Sequence, residues 1–490
     1  MVKRIKSKAD VDANRFCFSP KSDICIRRGS VLTIQDAFFY TYIVKKLYKK
    51  IYKKVEWTQG KLDFSYKLQN LKHKNPWVPT GLTGWKDFPN KTCSLLEEKK
   101  FPYVIFLDIA ACYDNINHRL LGKCLEDITN SKERELVRKL MDALGIWNRD
   151  SGKGLPQGYT ASDVLAKIYF EKIHKRFIDK GIQHIRYVDD FRIFCHSEIE
   201  ARKQMIEITE ILSEYGFSIQ THKTELQTKE EALKKINTSL VVIKDTIQKL
   251  KEDSPYKDIS DEDLEKLMDT QNNEFTKILQ KTFEDNFNSK KFVDKSLYHY
   301  LVDRLGKQKS QTCKKQVLGF IKTKPEETKY SLIYLTNLYK ESKLPPALIN
   351  HLVKHMKSDN CFYEYQKYEI LKFLYEHEVK NKQLKEFSEK IAKDKNYSSW
   401  VRSYAIAIWM QNNAPKQELL DMYSNESDEI IKADLLQAYA QLSPKEYPAV
   451  LRRYGKKLFW RPYIETFSQK QSNQKKNHKK KDNNLDMAYN

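Results

Sequence analysis

Two apolar segments that stop at aspartates constrain the fold of this 490-residue chain most strongly. Residues 103–107 are apolar or aromatic and lead directly into Asp108, the pattern of a buried strand. Residues 185–194 have the pattern of a hairpin with Asp189 and Asp190 at its turn. Because strands are rigid, three carboxylates at their ends are able to converge on one point. The pattern predicts a β-containing core with an acidic site at its edge.

Converging carboxylates suit nucleotidyl transfer. Two Mg²⁺ ions about 4 Å apart activate an attacking hydroxyl and neutralise the charge on a transferring phosphoryl group. Such hard ions prefer oxygen ligands, so we predict that Asp108, Asp189 and Asp190 bind two Mg²⁺, with Mn²⁺ as a substitute. A lone Tyr-x-Asp-Asp string is a weak motif, and a solvated turn or a strand-end cap is the alternative.

Neighbouring segments strengthen the prediction. Four of them occur in the order of motifs A to D of the reverse transcriptase family and resemble those motifs. An upstream segment with Pro20, Lys21, Arg27 and Arg28 resembles the fingers of bacterial reverse transcriptases. The resemblance covers roughly residues 15–225, and its four motif segments are 108–116, 155–158, 187–190 and 216–224.

The resemblance implies roles for further residues. Tyr113 would clash with the 2′ hydroxyl of a ribonucleotide and so select deoxynucleotides, unless it is an ordinary buried tyrosine. Gln157 and Gly158 would contact the incoming nucleotide, although a Pro-Gly turn entering a helix gives the same pattern.

Three basic residues are further candidates from the same resemblance. Lys21 and Arg28 would grip the triphosphate as a charge clamp, or else be solvated charges in a basic chain. Lys223 would donate a proton to the leaving pyrophosphate.

The chain changes character near residue 230. Mixed short strands and helices precede it, whereas helical periodicity dominates after it. Beyond residue 325, helix pairs recur about every 35 residues, which favours a HEAT-like repeat over an irregular bundle. The predicted fold class is an α+β fingers and palm domain followed by an all-α helical-repeat domain. Its predicted parts are fingers (1–100), palm (101–230), helical connector (231–325), helical repeats (326–467) and a disordered basic tail (468–490).

Charge and cysteine content bear on partners and location. Lys and Arg number 88 against 65 Asp and Glu, a net charge of +23 that favours a polyanionic partner. A generally Lys-rich proteome would also produce this excess. The eight cysteines form no CxxC pair, which argues against a disulfide framework and for the cytoplasm. No run of eighteen apolar residues predicts a membrane span.

A palm followed by helical repeats, without a recognisable thumb, resembles the abortive-infection and related antiphage reverse transcriptases of bacteria. That resemblance implies antiviral defence, homo-oligomeric assembly and priming by a protein hydroxyl. The expected partners are a template or non-coding RNA, deoxynucleoside triphosphates and the DNA product. Tyr489, after a run of lysines in the tail, is the candidate primer, with Tyr40 and Tyr42 as alternatives.

Two other functions remain open at this point. An RNA-dependent RNA polymerase shares the carboxylate arrangement, but it generally has Gly-Asp-Asp and a polar residue where Tyr113 stands. A non-catalytic RNA-binding scaffold would use the basic helical repeats alone, although three converging acids have no use in it.

Overall fold

The computed structural model describes residues 15–22, 24–69, 72, 84–98, 101–149, 151–236, 273–287 and 295–454. The chain divides into two compact units. The first comprises Met1–Phe16 and Arg28–Asp245, and the second comprises Cys17–Arg27 and Thr246–Asn490. The predicted five-part division, including the tail from residue 468, remains a prediction.

A small antiparallel sheet forms the centre of the first unit. Its strands follow the order β4-β5-β3-β6, and β7 also pairs with β3. Every residue of β3 between its two ends is buried, which explains the unbroken apolar run in the sequence. The strands are β3 (Tyr103–Ala110), β4 (Gln183–Tyr187), β5 (Asp190–Cys195), β6 (Ser218–Ile219) and β7 (Glu225–Thr228), and a separate hairpin pairs β1 (Arg15–Ser22) with β2 (Cys25–Val31).

Helices cover this sheet. The long helices α1 and α6 pack against each other, and α5 packs on α1. Their apolar faces and one side of the sheet form a continuous core around Trp147, Phe170 and Phe191. The helices are α1 (Ile34–Val55), α2 (Gly84–Glu98), α3 (Cys112–Asn115), α4 (His118–Glu126), α5 (Ser131–Trp147), α6 (Thr160–Asp179) and α7 (Glu198–Glu214).

One local prediction is wrong. The prolines and glycines between Trp57 and Pro89 indicate an irregular segment, but α2 begins at Gly84 and contains Pro89. Phe88 and Leu96 on this helix are buried in a second core cluster with Phe194. A proline costs a helix one backbone hydrogen bond, and burial of this apolar face offsets that loss.

The second unit is mostly helical, as predicted. The helices are α8 (Asn273–Asn286), α9 (Lys295–Lys307), α10 (Lys314–Thr323), α11 (Thr328–Leu338), α12 (Pro346–Lys357), α13 (Glu364–Glu376), α14 (Lys382–Lys393), α15 (Ser399–Gln411), α16 (Lys416–Ser424), α17 (Glu429–Leu442) and α18 (Tyr447–Tyr454).

Contacts between these helices are regular. The odd-numbered helices α9, α11, α13, α15 and α17 stack on one another in sequence, and each even-numbered helix from α10 to α16 packs on the odd-numbered helix that follows it. This is the arrangement of stacked helix pairs rather than of an irregular bundle. A HEAT-like classification of the stack remains a prediction.

Within the described part of the chain, no helix combines the length and the apolar character needed to cross a membrane.

Candidate active site

The sheet brings the three predicted metal ligands together. Asp108 on β3 lies directly opposite Asp190, the first residue of β5, in antiparallel register. Asp189 precedes it in the turn, where its carbonyl accepts a hydrogen bond from the backbone N–H of Ile109 at 3.0 Å. Two positions differ from the sequence prediction: β3 continues past Asp108 to Ala110, and Asp190 pairs as the first residue of β5 instead of lying in the turn.

The carboxylates of this cluster repel one another. Burial raises the pKa of Asp190, and the charges of Asp189 and Asp108 raise it further, while Arg192 lowers it. Adjacent carboxylates resist simultaneous ionisation unless a cation neutralises them. The site therefore favours the binding of positive charge.

Lys223 supplies one such charge. Its Nζ donates to Asp108 Oδ2 at 3.0 Å, from a short 3₁₀ turn that follows β6. Partial burial would lower the pKa of Lys223, but the hydrogen bond and charge of Asp108, with Asp190 and Asp189 nearby, outweigh it and raise the pKa. The predicted motif D lysine thus lies at the carboxylates, held in its charged form.

The donor set fits divalent metal ions. Three carboxylates on a rigid sheet are the oxygen ligands that Mg²⁺ prefers. As they stand, the described residues contain no group of three His, Cys, Asp or Glu side chains close enough to enclose an ion, so ion binding would require these side chains to move.

Tyr113 lies on α3, directly after the motif A strand. Its hydroxyl donates to Asp163 Oδ1 on α6 at 2.7 Å. Burial and the charge of Asp163 raise the pKa of Tyr113 well above its usual value, so the phenol is neutral. Burial raises the pKa of Asp163 to about 6, although the hydrogen bond from Tyr113 and the charge of Lys167 lower it. The ring is therefore fixed by a hydrogen bond as well as by packing.

The motif B turn is tied to motif A and to β2. Gln157 Nε2 donates to Asp114 Oδ2 at 3.2 Å, and Arg28 Nη2 donates to Asp114 Oδ1 at 3.1 Å. The backbone of Gln157 also exchanges hydrogen bonds with Ser30. Gly158 has φ +93° and no atom near its missing side chain, so it provides the turn conformation that other residues avoid.

Two other predicted residues, Lys21 and Tyr489, lie outside the described part of the unit that contains this cluster. Lys21 belongs to the second unit, where its carbonyl accepts from Lys295 Nζ at 2.6 Å. Its proposed partnership with Arg28 therefore remains a prediction. Tyr489 and the basic tail lie outside the described residues. Tyr40 is fully buried and shares a hydrogen bond with Ser162.

Sequence reasoning missed several residues around the site. Asp163 and Asp114 fix Tyr113, Gln157 and Arg28, while Asp63, Ser65 and Arg186 form a buried polar cluster behind the turn between β4 and β5. Asp163 follows motif B on a predicted helix, so helical geometry offered a weak signal for it. Asp63 and Ser65 lie in an irregular segment and offered none.

Residues 39–255 match the family model described as reverse transcriptase (RNA-dependent DNA polymerase). The chain contains a reverse transcriptase domain. The match spans a little under half of the chain and includes all three carboxylates and Lys223. The match favours RNA-directed DNA polymerase activity over the RNA-dependent RNA polymerase and scaffold alternatives.

Sequence comparison finds no curated protein that matches this chain. Among solved structures, telomerase from Candida albicans in complex with a telomeric RNA fragment aligns at 12% identity and TM-score 0.31 over 73% of this chain and 66% of that one. Apo telomerase from Candida tropicalis aligns at 13% identity and TM-score 0.33 over 85% and 68%. The RNA-bound form of the Candida tropicalis telomerase aligns at 13% identity and TM-score 0.34 over 91% of this chain and 65% of that one.

The chain thus spans about two thirds of the length of these telomerase chains. Superpositions with such low TM-scores do not establish a common fold. The reverse transcriptase domain is identified by the family match.

Proposed function

We propose that this reverse transcriptase domain uses Asp108, Asp189 and Asp190 for two-metal synthesis of DNA on an RNA template, in bacterial antiviral defence. The observation that carries the catalytic part is the register of β3 and β5, which places Asp108 directly beside Asp190. Bound at these carboxylates, two Mg²⁺ ions would supply the activation of the attacking hydroxyl and the neutralisation of the transferring phosphoryl group.

The chain's own residues have distinct tasks in this proposal. The Tyr113 ring lies beside the sugar of the incoming nucleotide and blocks space for a 2′ hydroxyl. The hydrogen bond from its hydroxyl to Asp163 holds the ring in place. Gln157 and Gly158 contact the nucleotide. Arg28, which donates one hydrogen bond to Asp114, exchanges this carboxylate for phosphate oxygens of the triphosphate. Lys223 is a charged donor beside the carboxylates and is the proton source for the leaving pyrophosphate.

The antiviral role rests on the resemblance to abortive-infection reverse transcriptases, and the stack of helix pairs after the palm supports it. Homo-oligomeric assembly is part of the same proposal. The cysteines within the described residues form no disulfide with one another, which suits a cytoplasmic enzyme.

A dedicated RNA is the expected template, and it should co-purify with the protein. The net charge of +23 favours phosphate contacts, each of which releases counterions, so binding should weaken steeply as salt rises. Sequencing both RNA and DNA from the purified full-length protein should recover one RNA species and DNA complementary to it.

Asp189→Asn provides the control for that experiment. The variant should retain the RNA and contain no complementary DNA, because it loses a metal ligand and not a phosphate contact. A heterogeneous mixture of host RNAs, with no DNA complementary to any of them, would argue against a dedicated template.

Protein priming is the most specific part of the proposal. Lys475, Lys476 and the lysines at 479–481 precede Tyr489 near the end of the chain. A run of lysines next to a tyrosine would hold the tyrosine hydroxyl near the growing polyanion. Tyr40 is a poor alternative because its hydroxyl is buried and bonded to Ser162. The DNA product is therefore expected to be covalently attached to Tyr489.

The linkage is testable by running the product on a denaturing gel with and without protease, and by mapping the modified peptide by mass spectrometry. Tyr489→Phe should abolish the attachment. DNA that separates from the protein by denaturation alone would end the priming proposal, and DNA still attached to Tyr489→Phe would move the linkage to another hydroxyl.

A further inference from the structure

The turn that carries Asp189 has an unfavourable backbone conformation. Val188, between Tyr187 and Asp189, has φ +56°. This left-handed region is rarely adopted by non-glycine residues, and it is most unfavourable for β-branched ones. Such a conformation persists only where surrounding contacts impose it.

Both polar groups of Val188 are held. Its N–H donates to Ser65 Oγ at 2.7 Å, and its carbonyl accepts from Arg186 Nη1 at 2.6 Å. One residue further on, the Asp189 carbonyl accepts from the N–H of Ile109. The two peptide groups that define the left-handed conformation are thus each fixed by a hydrogen bond to a side chain.

The two contacts to Val188 meet at one carboxylate. Asp63 Oδ1 accepts from the N–H of Ser65 at 2.9 Å, and Asp63 Oδ2 accepts from Arg186 Nη2 at 2.7 Å and from Lys167 Nζ at 2.8 Å. Asp63, Lys167 and Arg186 are 2%, 3% and 2% exposed. Buried charges of this kind require their partners, because removing one leaves the other unpaired.

The segment around Asp63 is itself docked on β4. The N–H of Phe64 donates to the Arg186 carbonyl at 2.8 Å, and the N–H of Arg186 donates to the Leu62 carbonyl at 2.7 Å. These two bonds place Asp63 beside Arg186 in a parallel bridge. The position of the carboxylate is therefore set by backbone pairing as well as by its charged partners.

We infer that Asp63, acting through Ser65 and Arg186, is a positioning residue that imposes the left-handed conformation of Val188 and thereby aims Asp189 at the metal site. Asp63 and Ser65 act on the turn and not on substrate. This inference rests on the proposed metal-binding role of Asp108, Asp189 and Asp190.

The test measures Mn²⁺ binding to the full-length protein by electron paramagnetic resonance of free Mn²⁺, with competition by Mg²⁺. Ser65→Ala should weaken binding about tenfold, the lower end of the effect expected when a group that orients a metal ligand is lost. Ser197→Ala is the matched control, because the Ser197 hydroxyl also accepts from a backbone N–H, that of Glu200 at the start of α7. That variant should bind Mn²⁺ as the unaltered protein does.

Val188→Gly separates positioning from general destabilisation. Glycine adopts positive φ without support from neighbouring hydrogen bonds. Ser65→Ala should therefore weaken Mn²⁺ binding by less than threefold in the Val188→Gly background, whereas it should weaken binding about tenfold in the unaltered protein. An equal loss in both backgrounds, or no loss with Ser65→Ala alone, would overturn the inference. Asp63→Asn should weaken binding more than Ser65→Ala, and if it fails to fold the Ser65 and Val188 variants decide.

A different result would point to the metal site itself. If Asp189→Asn binds Mn²⁺ as tightly as the unaltered protein, the proposed ligands are wrong and the positioning inference loses its basis. If Asp189→Asn loses binding while Ser65→Ala and Asp63→Asn retain it, the ligands stand and only the inference fails.

Discussion

Asp189→Asn and Asp108→Ala are each expected to abolish Mg²⁺-dependent incorporation of deoxynucleotides while the protein stays folded. Asp108 lies on β3 opposite Asp190 and Asp189 lies in the turn before β5, so each variant removes one carboxylate of the site. Loss of metal ligation removes several kcal/mol of transition-state stabilisation. A loss of about 4 kcal/mol lowers the rate about a thousandfold. The measurement is incorporation of labelled deoxynucleotide by purified variants, with circular dichroism to check folding.

Asp179→Asn is the matched control, since Asp179 is an exposed aspartate at the end of α6. It should retain full activity. Of the two active-site variants, Asp189→Asn is the cleaner, because Asp108→Ala also leaves the Lys223 ammonium without its carboxylate. Activity retained in both would end the two-metal assignment.

The same variant separates synthesis from defence. Cells that express the unaltered protein should restrict phage plating, and cells that express Asp189→Asn should not. Protection that survives in a variant without polymerase activity would remove DNA synthesis from the antiviral mechanism and leave the polymerase assignment intact.

The catalytic strands and the helix pairs were predictable because each carries its own periodicity. β3 has an unbroken apolar run because both of its faces are buried. The repeat helices have apolar residues at three- and four-residue spacing because each buries one face. The convergence of Asp108 and Asp190 was predicted because each aspartate adjoins an apolar strand segment. Among the described elements, α2 departs from this rule, because Pro89 interrupts an otherwise helical pattern.

The polar supports of the site were not predictable. Asp63 lies far from Arg186 and Lys167 in the sequence, and only the folded chain brings their charges together. No periodicity marks such a contact, since an aspartate between Leu62 and Phe64 carries no sequence signal of its distant partners. Arg28 illustrates the converse, because its sequence motif indicated a phosphate contact while the structure pairs it with Asp114.

Tyr113→Val is expected to increase ribonucleotide incorporation relative to deoxynucleotide incorporation by about tenfold or more. Loss of the Tyr113 ring leaves space for the 2′ hydroxyl of a ribonucleotide. Accommodating one small group in a pocket changes selectivity by about 1–3 kcal/mol. The measurement is the ratio of kcat/KM for matched ribo- and deoxynucleoside triphosphates.

Tyr113→Phe distinguishes the ring from its hydroxyl. This variant keeps the ring and loses only the hydrogen bond to Asp163 Oδ1, so it should change selectivity far less than Tyr113→Val. Burial and the charge of Asp163 hold the pKa of Tyr113 well above its usual value, so the phenol stays neutral. Its contribution to selectivity should therefore not change between pH 7 and pH 9, which both lie about one unit or more below the ordinary tyrosine pKa. Equal discrimination by Tyr113→Val and the unaltered enzyme would place the sugar gate on another residue.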